Sequence, residues 1–153
     1  MRGAAGDLDW VPLVASVSKL FTSYACLGAL EEGTISLDDQ AGPSGSTVRQ
    51  LMAHASGLGF DSDASSTFKP GIRRIYSNVG IEKLANHLQT AAGIPFTDYL
   101  VEAVIEPLGL VGFEAQGSPA HGMRASINHL LALGRELMNP TLVARETLDH
   151  ATS

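Results

Sequence analysis

Ser16 and Lys19 are the two residues of this sequence best suited by type and spacing to covalent chemistry. They begin an apolar stretch without proline, and positions i and i+3 of a helix share one face, with Cβ atoms about 5–6 Å apart. A serine hydroxyl is a weak nucleophile until a neighbouring base accepts its proton, and a buried lysine one turn away can assist. The helix N-terminus also favours a developing anion. The pattern alone is a weak signal, because a serine before a helix is most often an N-cap.

The elements that must position this pair are predicted to be mainly helical. Gly33 and Gly93 suit the residue that ends a helix, and Thr47 with Gln50 forms a capping-box pattern that begins one. The predicted helices cover residues 16–32, 47–54, 79–92, 97–106, 126–138 and, with a frayed end, 141–153. Residues 34–37 are consistent with a short strand or a turn, and residues 55–74 with a long irregular segment. No set of alternating strands is present that would build a large sheet.

Composition excludes several classes of protein. The 153 residues carry a formal net charge of −6 and no strong cluster of Lys and Arg, which argues against a nucleic-acid surface. No apolar run of about 18 residues is present, and no signal peptide begins the chain, so we expect no membrane span and a cytoplasmic location. The single cysteine, Cys26, is predicted to be buried and inert. The five histidines lack metal-ligand spacing, and we expect neither a metal nor an organic cofactor.

Several motifs, in a fixed order, resemble the class C β-lactamase-related serine hydrolases, the family that includes penicillin-binding proteins. The motifs are VASVSKLFT at 14–22, GALEEG at 28–33, ISLDD at 35–39, TVRQLMAHASGL at 47–58, Tyr-Ser-Asn at 76–78, PLGL at 107–110 and AHGM at 120–123. The resemblance runs from about residue 11 to the end of the chain. Its specificity comes from the order of the motifs rather than from any one of them.

The resemblance implies a role for four residues. Ser16 would be the nucleophile that forms an acyl-enzyme, and Lys19 would help to deprotonate it. Tyr76 would be the partner base and then the acid that protonates the leaving group. Asn78 would contact the substrate or orient Lys19. From residue type alone, Tyr76 is more often a packed aromatic. Ser77 or Asn78 is the predicted N-cap of the helix that follows, a role that Asn78 could combine with the implied one by using different atoms.

Three further residues near these motifs are assigned to structural roles. His54 lies in a block whose role in the family is mainly structural, so we expect it to pack or cap. Arg73 and Arg74 precede Tyr76, but neighbours in an extended segment point to opposite sides, so at most one faces the site. A solvated surface position is expected for both arginines.

The same comparison indicates what the chain lacks. The family closes its site with K-T-G or H-x-G on a strand of a large antiparallel sheet, and neither is found at a suitable place here; His121 and Gly122 precede a helix. We therefore expect residues 1–153 to be a single partial domain. It is mainly α: the helical part of the α/β (α+β) β-lactamase/transpeptidase-like fold, with most of the sheet missing.

Two functions are compatible with the sequence. The first is a serine hydrolase or a fragment of one, acting on a small ester, a β-lactam or a D-amino-acid peptide. The second is a non-catalytic binding or interaction module that keeps the helical scaffold. A small helical DNA-binding protein is a third reading, which the acidic charge makes improbable. Helices that should pack on a sheet leave an apolar face uncovered, so self-association or a complementing chain that carries the sheet is expected.

Overall fold

The computed structural model describes residues 6–61 and 68–153, and the regular structure there is helical. A 3₁₀ turn at Ala15–Val17 leads into α1 (Ser18–Glu32), followed by α2 (Val48–Met52), α3 (Asn78–Ala92), α4 (Phe96–Leu100), α5 (Ile127–Met138) and α6 (Arg145–Thr152). A π-helical turn, Val101–Ile105, continues α4. β-pairing within these ranges is limited to isolated antiparallel bridges. The expectation of a mainly helical chain is confirmed.

The capping residues predicted from the sequence set the ends of three helices. Gly33 and Gly93 adopt left-handed φ angles of 75° and 73° and end α1 and α3. Thr47 and Gln50 form the capping box that begins α2. Of the two candidates for the N-cap of α3, Ser77 is the one used: its hydroxyl accepts a hydrogen bond from the Gly80 amide at 2.9 Å, and Asn78 is the first residue of the helix. Residues 34–37, for which a strand or a turn was expected, form a turn.

Helix α1 lies at the centre of the packing. It contacts α3, α4, the π-helical turn and α6, and it buries side chains on several sides, including Phe21, Tyr24 and Ala29. A helix that is apolar around most of its circumference requires such surroundings. Cys26 is fully buried, and burial raises the pKa of its thiol to about 12, so the thiol is inert as predicted.

Large apolar side chains nevertheless remain exposed on α1 and α5. On α5, Ile127, Leu131 and Met138 are 48%, 49% and 78% exposed, and their spacing places them on one face. Leu20 on α1 is 50% exposed and lines a groove of about 1120 Å³ between α1, α2 and α6. None of the helices in the described ranges has the length and hydropathy needed to cross a bilayer.

Candidate active site

Ser16 lies in the 3₁₀ turn that precedes α1, where its side chain is exposed. Ala15 holds a left-handed φ of 46°, which is uncommon for a residue with a Cβ. The Val14 amide donates a hydrogen bond to the Met123 carbonyl at 3.0 Å, and Leu13 forms an antiparallel bridge with Arg124. The segment before the serine is therefore fixed against a distant part of the chain.

Lys19 lies one turn further on, and its ammonium group is surrounded by neutral acceptors. The side chain is only 6% exposed. Its Nζ donates to Asn78 Oδ1 at 2.6 Å, to the Ala120 carbonyl at 2.9 Å and to Ser16 Oγ at 3.4 Å. All three acceptors are uncharged oxygens. Lys19 takes part in no ion pair among those found in residues 6–61 and 68–153.

Asn78, at the first position of α3, has its amide bound on both sides. Its Oδ1 accepts from Lys19, and its Nδ2 donates to Asp61 Oδ1 at 2.7 Å. The Asp61 carboxylate therefore fixes which side of the amide faces the lysine. Because Asn78 is 7% exposed, this geometry favours the orienting role over a substrate contact.

Tyr76 is placed against the same lysine. Nζ of Lys19 lies 4.6 Å from the centre of the phenol ring, and 44% of the tyrosine is exposed. Burial would raise the pKa of Tyr76, but hydrogen bonding to Ser16 and Lys19, together with the charge of Lys19, outweighs it and lowers the pKa below its usual value. A phenol in this setting is more easily ionised than one in water.

A loop over residues 117–123 packs against the first turns of α1, next to Lys19. The Thr22 hydroxyl donates to the Pro119 carbonyl at 2.7 Å, and the Ser18 hydroxyl accepts from the Met123 amide at 3.1 Å. Both hydroxyls are fully buried on α1. The first turns of the helix therefore position the loop as well as the nucleophile.

Contacts within the loop hold the Ala120 carbonyl in the position from which it accepts a hydrogen bond from Lys19. The Ser118 hydroxyl accepts from the Ala120 amide at 3.1 Å and donates to Glu82 Oε1 at 2.7 Å. Gly122 packs so closely on the backbone of residue 118 that a Cβ atom there would lie 2.2 Å from its amide nitrogen. This arrangement holds the Ala120 carbonyl against the ammonium group.

The structure thus brings Ser16, Lys19, Tyr76 and Asn78 together around one Nζ atom. The Ala120 carbonyl and Asp61 belong to the same network, and neither was predicted from the sequence. A backbone acceptor has no signature in residue type, and Asp61 is one of many polar residues in its segment. The glycine at position 122 was the available signal for a close approach of two backbone segments.

The residues assigned to structural roles are placed as follows. His54 is 9% exposed, and its Nδ1 accepts from the Ser77 amide, so the expected packing and capping role is confirmed. Arg73 and Arg74 are both exposed, as expected. The predicted irregular segment over 55–74 includes residues 62–67, which lie outside the described ranges. Within those ranges no group of three or more His, Cys, Asp or Glu side chains is arranged to hold a metal ion.

Comparison with known proteins identifies relatives of the same type. The profile of the Beta-lactamase family matches residues 7–117. The crystal structure of a beta-lactamase from Mycobacterium bovis is 41% identical and superimposes with a TM-score of 0.94, covering 97% of this chain and 56% of that one. The D-alanyl-D-alanine-carboxypeptidase/endopeptidase AmpH of Escherichia coli K12 is 27% identical over 140 residues, covering 68% of this chain and 36% of AmpH.

A more distant structure shares the fold alone. A penicillin binding protein from Bacillus halodurans has a TM-score of 0.84 at 19% identity, covering 94% of this chain and 64% of its own. The chain spans about a third of AmpH and just over half of the Mycobacterium bovis protein. The family profile covers well over half of the residues. The chain therefore belongs to the β-lactamase family of penicillin-binding-protein-like serine hydrolases.

Proposed function

We propose that this chain carries the nucleophilic part of an acyl-transfer site, with Ser16 acylated by an ester, a β-lactam or a D-amino-acid peptide. The observation that carries the proposal is the Lys19 ammonium group. It reaches Ser16, which is three residues away, and also Asn78 and Ala120, which are 59 and 101 residues away. A buried cation held beside an exposed hydroxyl stabilises negative charge that develops on the oxygen.

Tyr76 is proposed as the base for this step. In this scheme Lys19, held by its hydrogen bonds to Asn78 and Ala120, supplies positive charge beside the reacting oxygen. Ser16 Oγ attacks the carbonyl carbon, and its proton passes to the Tyr76 oxygen. When the tetrahedral intermediate collapses, the bond to the leaving group breaks and Tyr76 returns the proton to the leaving atom. Water or another acceptor then releases the acyl group.

The oxyanion of the tetrahedral intermediate requires backbone donors. Ser16 lies in the first helical turn, where N–H groups lack partners within the helix, so its amide is the proposed first donor. The resemblance assigns the second donor to the strand that carries K-T-G or H-x-G, a motif absent from this sequence. Loss of one such donor typically costs about 10²–10³-fold in rate. We therefore propose slow acylation for this chain by itself.

A covalent label tests the proposal directly. The wild-type protein, Ser16→Ala and a control, Ser23→Ala, are incubated with a labelled penicillin and with a fluorophosphonate, and the labelled peptide is identified by mass spectrometry. Ser23 lies on the same helix and makes none of the contacts described above. We expect label in the wild type and in Ser23→Ala and none in Ser16→Ala, with all three proteins equally helical by circular dichroism. Equal labelling of wild type and Ser16→Ala would refute Ser16 as the nucleophile.

The alternative, a non-catalytic interaction module, is favoured by one observation. The exposed stripe of Ile127, Leu131 and Met138 on α5 is a surface that a partner would cover. We propose that this stripe binds a second copy of the chain or a complementing chain that carries a sheet. This interaction is compatible with acyl transfer, since the stripe and Ser16 are distinct. A cytoplasmic location stays a prediction.

A further inference from the structure

His54 contacts the backbone on both sides of Tyr76. Its carbonyl oxygen accepts a hydrogen bond from the Ile75 amide at 2.8 Å, and its ring Nδ1 accepts one from the Ser77 amide at 3.2 Å. Because these two amides flank Tyr76 in the chain, a single residue fixes the backbone from which the phenol projects.

The imidazole of His54 also contacts the side chain of Tyr76. The two ring centres lie 4.7 Å apart at an interplanar angle of 39°. The Phe60 ring lies 6.0 Å from the same phenol, in a stacked arrangement. Since 44% of Tyr76 is exposed, burial alone does not immobilise it. The neighbouring rings therefore restrict the positions that the phenol occupies beside Lys19.

His54 makes these contacts from an unusual backbone conformation. Its φ is 57°, in the left-handed region that few residues other than glycine adopt. The conformation is that of a residue that follows a helix: the His54 amide donates to the Leu51 carbonyl at 3.1 Å and the Ala55 amide to the Gln50 carbonyl at 2.7 Å, which ends α2. The end of α2 therefore places His54 against the segment that carries Tyr76.

The contacts also fix the protonation state of the imidazole. An Nδ1 that accepts a hydrogen bond carries no proton, so the neutral ring holds its proton on Nε2. Burial lowers the pKa of His54, and the nearby charges of Arg74 and Lys19 lower it further. The ring is therefore neutral near pH 7, and the acceptor for the Ser77 amide is retained.

We propose that His54 is a positioning residue that holds the Tyr76 phenol beside Ser16 and Lys19. The inference rests on the proposed acyl transfer through Ser16, in which Tyr76 exchanges the proton. It assigns to His54 a role in the reaction in addition to packing, although the residue touches neither the substrate nor the reacting atoms.

Three substitutions at position 54 separate the contributions of the residue. His54→Asn places an amide oxygen where Nδ1 stands, and asparagine tolerates the left-handed backbone, so the acceptor is retained and the ring is lost. His54→Phe retains a ring and loses the acceptor. His54→Gly loses both while relieving the backbone, which makes it the variant best able to fold. Thermal unfolding of each variant identifies those that are native.

The first readout is the ionisation of the Tyr76 phenol, followed by ultraviolet absorbance against pH. The chain has three tyrosines. Burial, followed by hydrogen bonds to Glu136 and Glu32, raises the pKa of Tyr24 and Tyr99, whereas the pKa of Tyr76 is lowered. Tyr76 is thus the first phenol to ionise, and Tyr76→Phe confirms the assignment. We expect this transition to move upward, towards the ordinary value near 10, in His54→Gly, which loses both contacts, and to move less in His54→Asn, which keeps the acceptor and loses the ring.

The second readout is the rate at which labelled penicillin acylates Ser16. A positioned base contributes about 10²–10⁴-fold, so His54→Gly is expected to lose at least about tenfold in acylation rate, and His54→Asn to keep most of it. A folded His54→Gly protein whose first phenol ionises as in the wild type overturns the inference. If the phenol moves as expected but no variant, including the wild type, is acylated, the positioning role stands and the proposed acyl transfer fails.

Discussion

Replacing Gly122 by alanine tests whether the loop over residues 117–123 holds the Ala120 carbonyl against Lys19. A Cβ atom at position 122 would lie 2.2 Å from the Ser118 amide nitrogen and 2.8 Å from the Gly117 carbonyl carbon. Both neighbours are backbone atoms, so they cannot rotate away as a side chain would. The loop must retreat by about 1.2 Å to reach an ordinary contact of 3.4 Å.

The expected magnitude of the Gly122→Ala effect follows from two contributions that share this cause. Overpacking typically costs about 1–3 kcal/mol, and a hydrogen bond to a charged group contributes about 1.5–3 kcal/mol. Because a single movement of the loop relieves the clash and lengthens the 2.9 Å contact from Lys19 to Ala120, we expect a loss of about 2–4 kcal/mol in the free energy of unfolding. For a chain of this length, the Tm would fall by about 5–15 °C.

The matched control for this prediction is Gly134→Ala. Gly134 lies inside α5, and an added Cβ there would meet nothing within 4 Å. Alanine in a helix interior stabilises by about 0.5–1 kcal/mol relative to glycine, so the two variants should shift the Tm in opposite directions. Thermal unfolding by circular dichroism measures the Tm of both variants, and the rate of covalent labelling of Ser16 reports whether the site is intact. A Gly122→Ala protein that melts with the wild type and labels at the same rate would refute the close approach of the loop.

Three other perturbations have expected outcomes. Glu136→Ala should lower the free energy of unfolding by about 3–5 kcal/mol in chemical denaturation, because the buried Tyr24 hydroxyl and two backbone amides lose their acceptor. The control Glu106→Ala, at an exposed position, should have little effect. Burial would raise the pKa of Glu136, but hydrogen bonds from Tyr24, Leu142 and Thr141 outweigh it and lower the pKa in the folded state. The contribution of Glu136 to the free energy of unfolding is therefore fully present above the unfolded pKa of about 4.3 and is lost as the pH falls through the lower pKa of the folded state. The rate of Ser16 acylation should rise with pH, and the midpoint of the rise should lie below the ordinary pKa of a phenol, near 10, because the pKa of Tyr76 is lowered. Tyr76→Phe should abolish that rise. The double variant Leu131→Glu, Met138→Glu should self-associate less than the wild type in gel filtration, because it places charges on the exposed stripe of α5. A wild-type protein that elutes as a compact monomer, with the same elution volume as the variant, would contradict the interaction stripe.

The ends of α1 and α3 are predictable because local chemistry determines them. Gly33 and Gly93 adopt the left-handed conformation that ends a helix, and Ser77 supplies an oxygen to an unpaired amide. The predicted helix over 97–106 is confirmed in position, but its second half is π-helical, with the Glu106 amide bonded to the Val101 carbonyl five residues earlier. The choice between i−4 and i−5 pairing depends on tertiary packing, which single-residue propensities do not encode.

The candidate site is predictable only in its side chains. Ser16, Lys19, Tyr76 and Asn78 are recognisable because reactive residue types recur in a known order. The Ala120 carbonyl is not, since every residue has such a group and only the fold decides which one faces the lysine. The same holds for His54, whose identity indicates packing but whose contacts with residues 75 and 77 become visible only once the chain is folded.

The choice of partners around Lys19 has a consequence for the chemistry. A buried ammonium group needs acceptors, and a carboxylate would satisfy it while cancelling most of its positive field. Asn78 and Ala120 instead supply neutral oxygens, and the nearby Asp61 contacts the far side of the Asn78 amide rather than the lysine. The charge of Lys19 therefore remains available to the Ser16 oxygen and the Tyr76 phenol, and its hydrogen bonds keep it in place. In the proposed acyl transfer, a preorganised cation of this kind would stabilise the anion formed during attack without reorganisation at the moment of reaction.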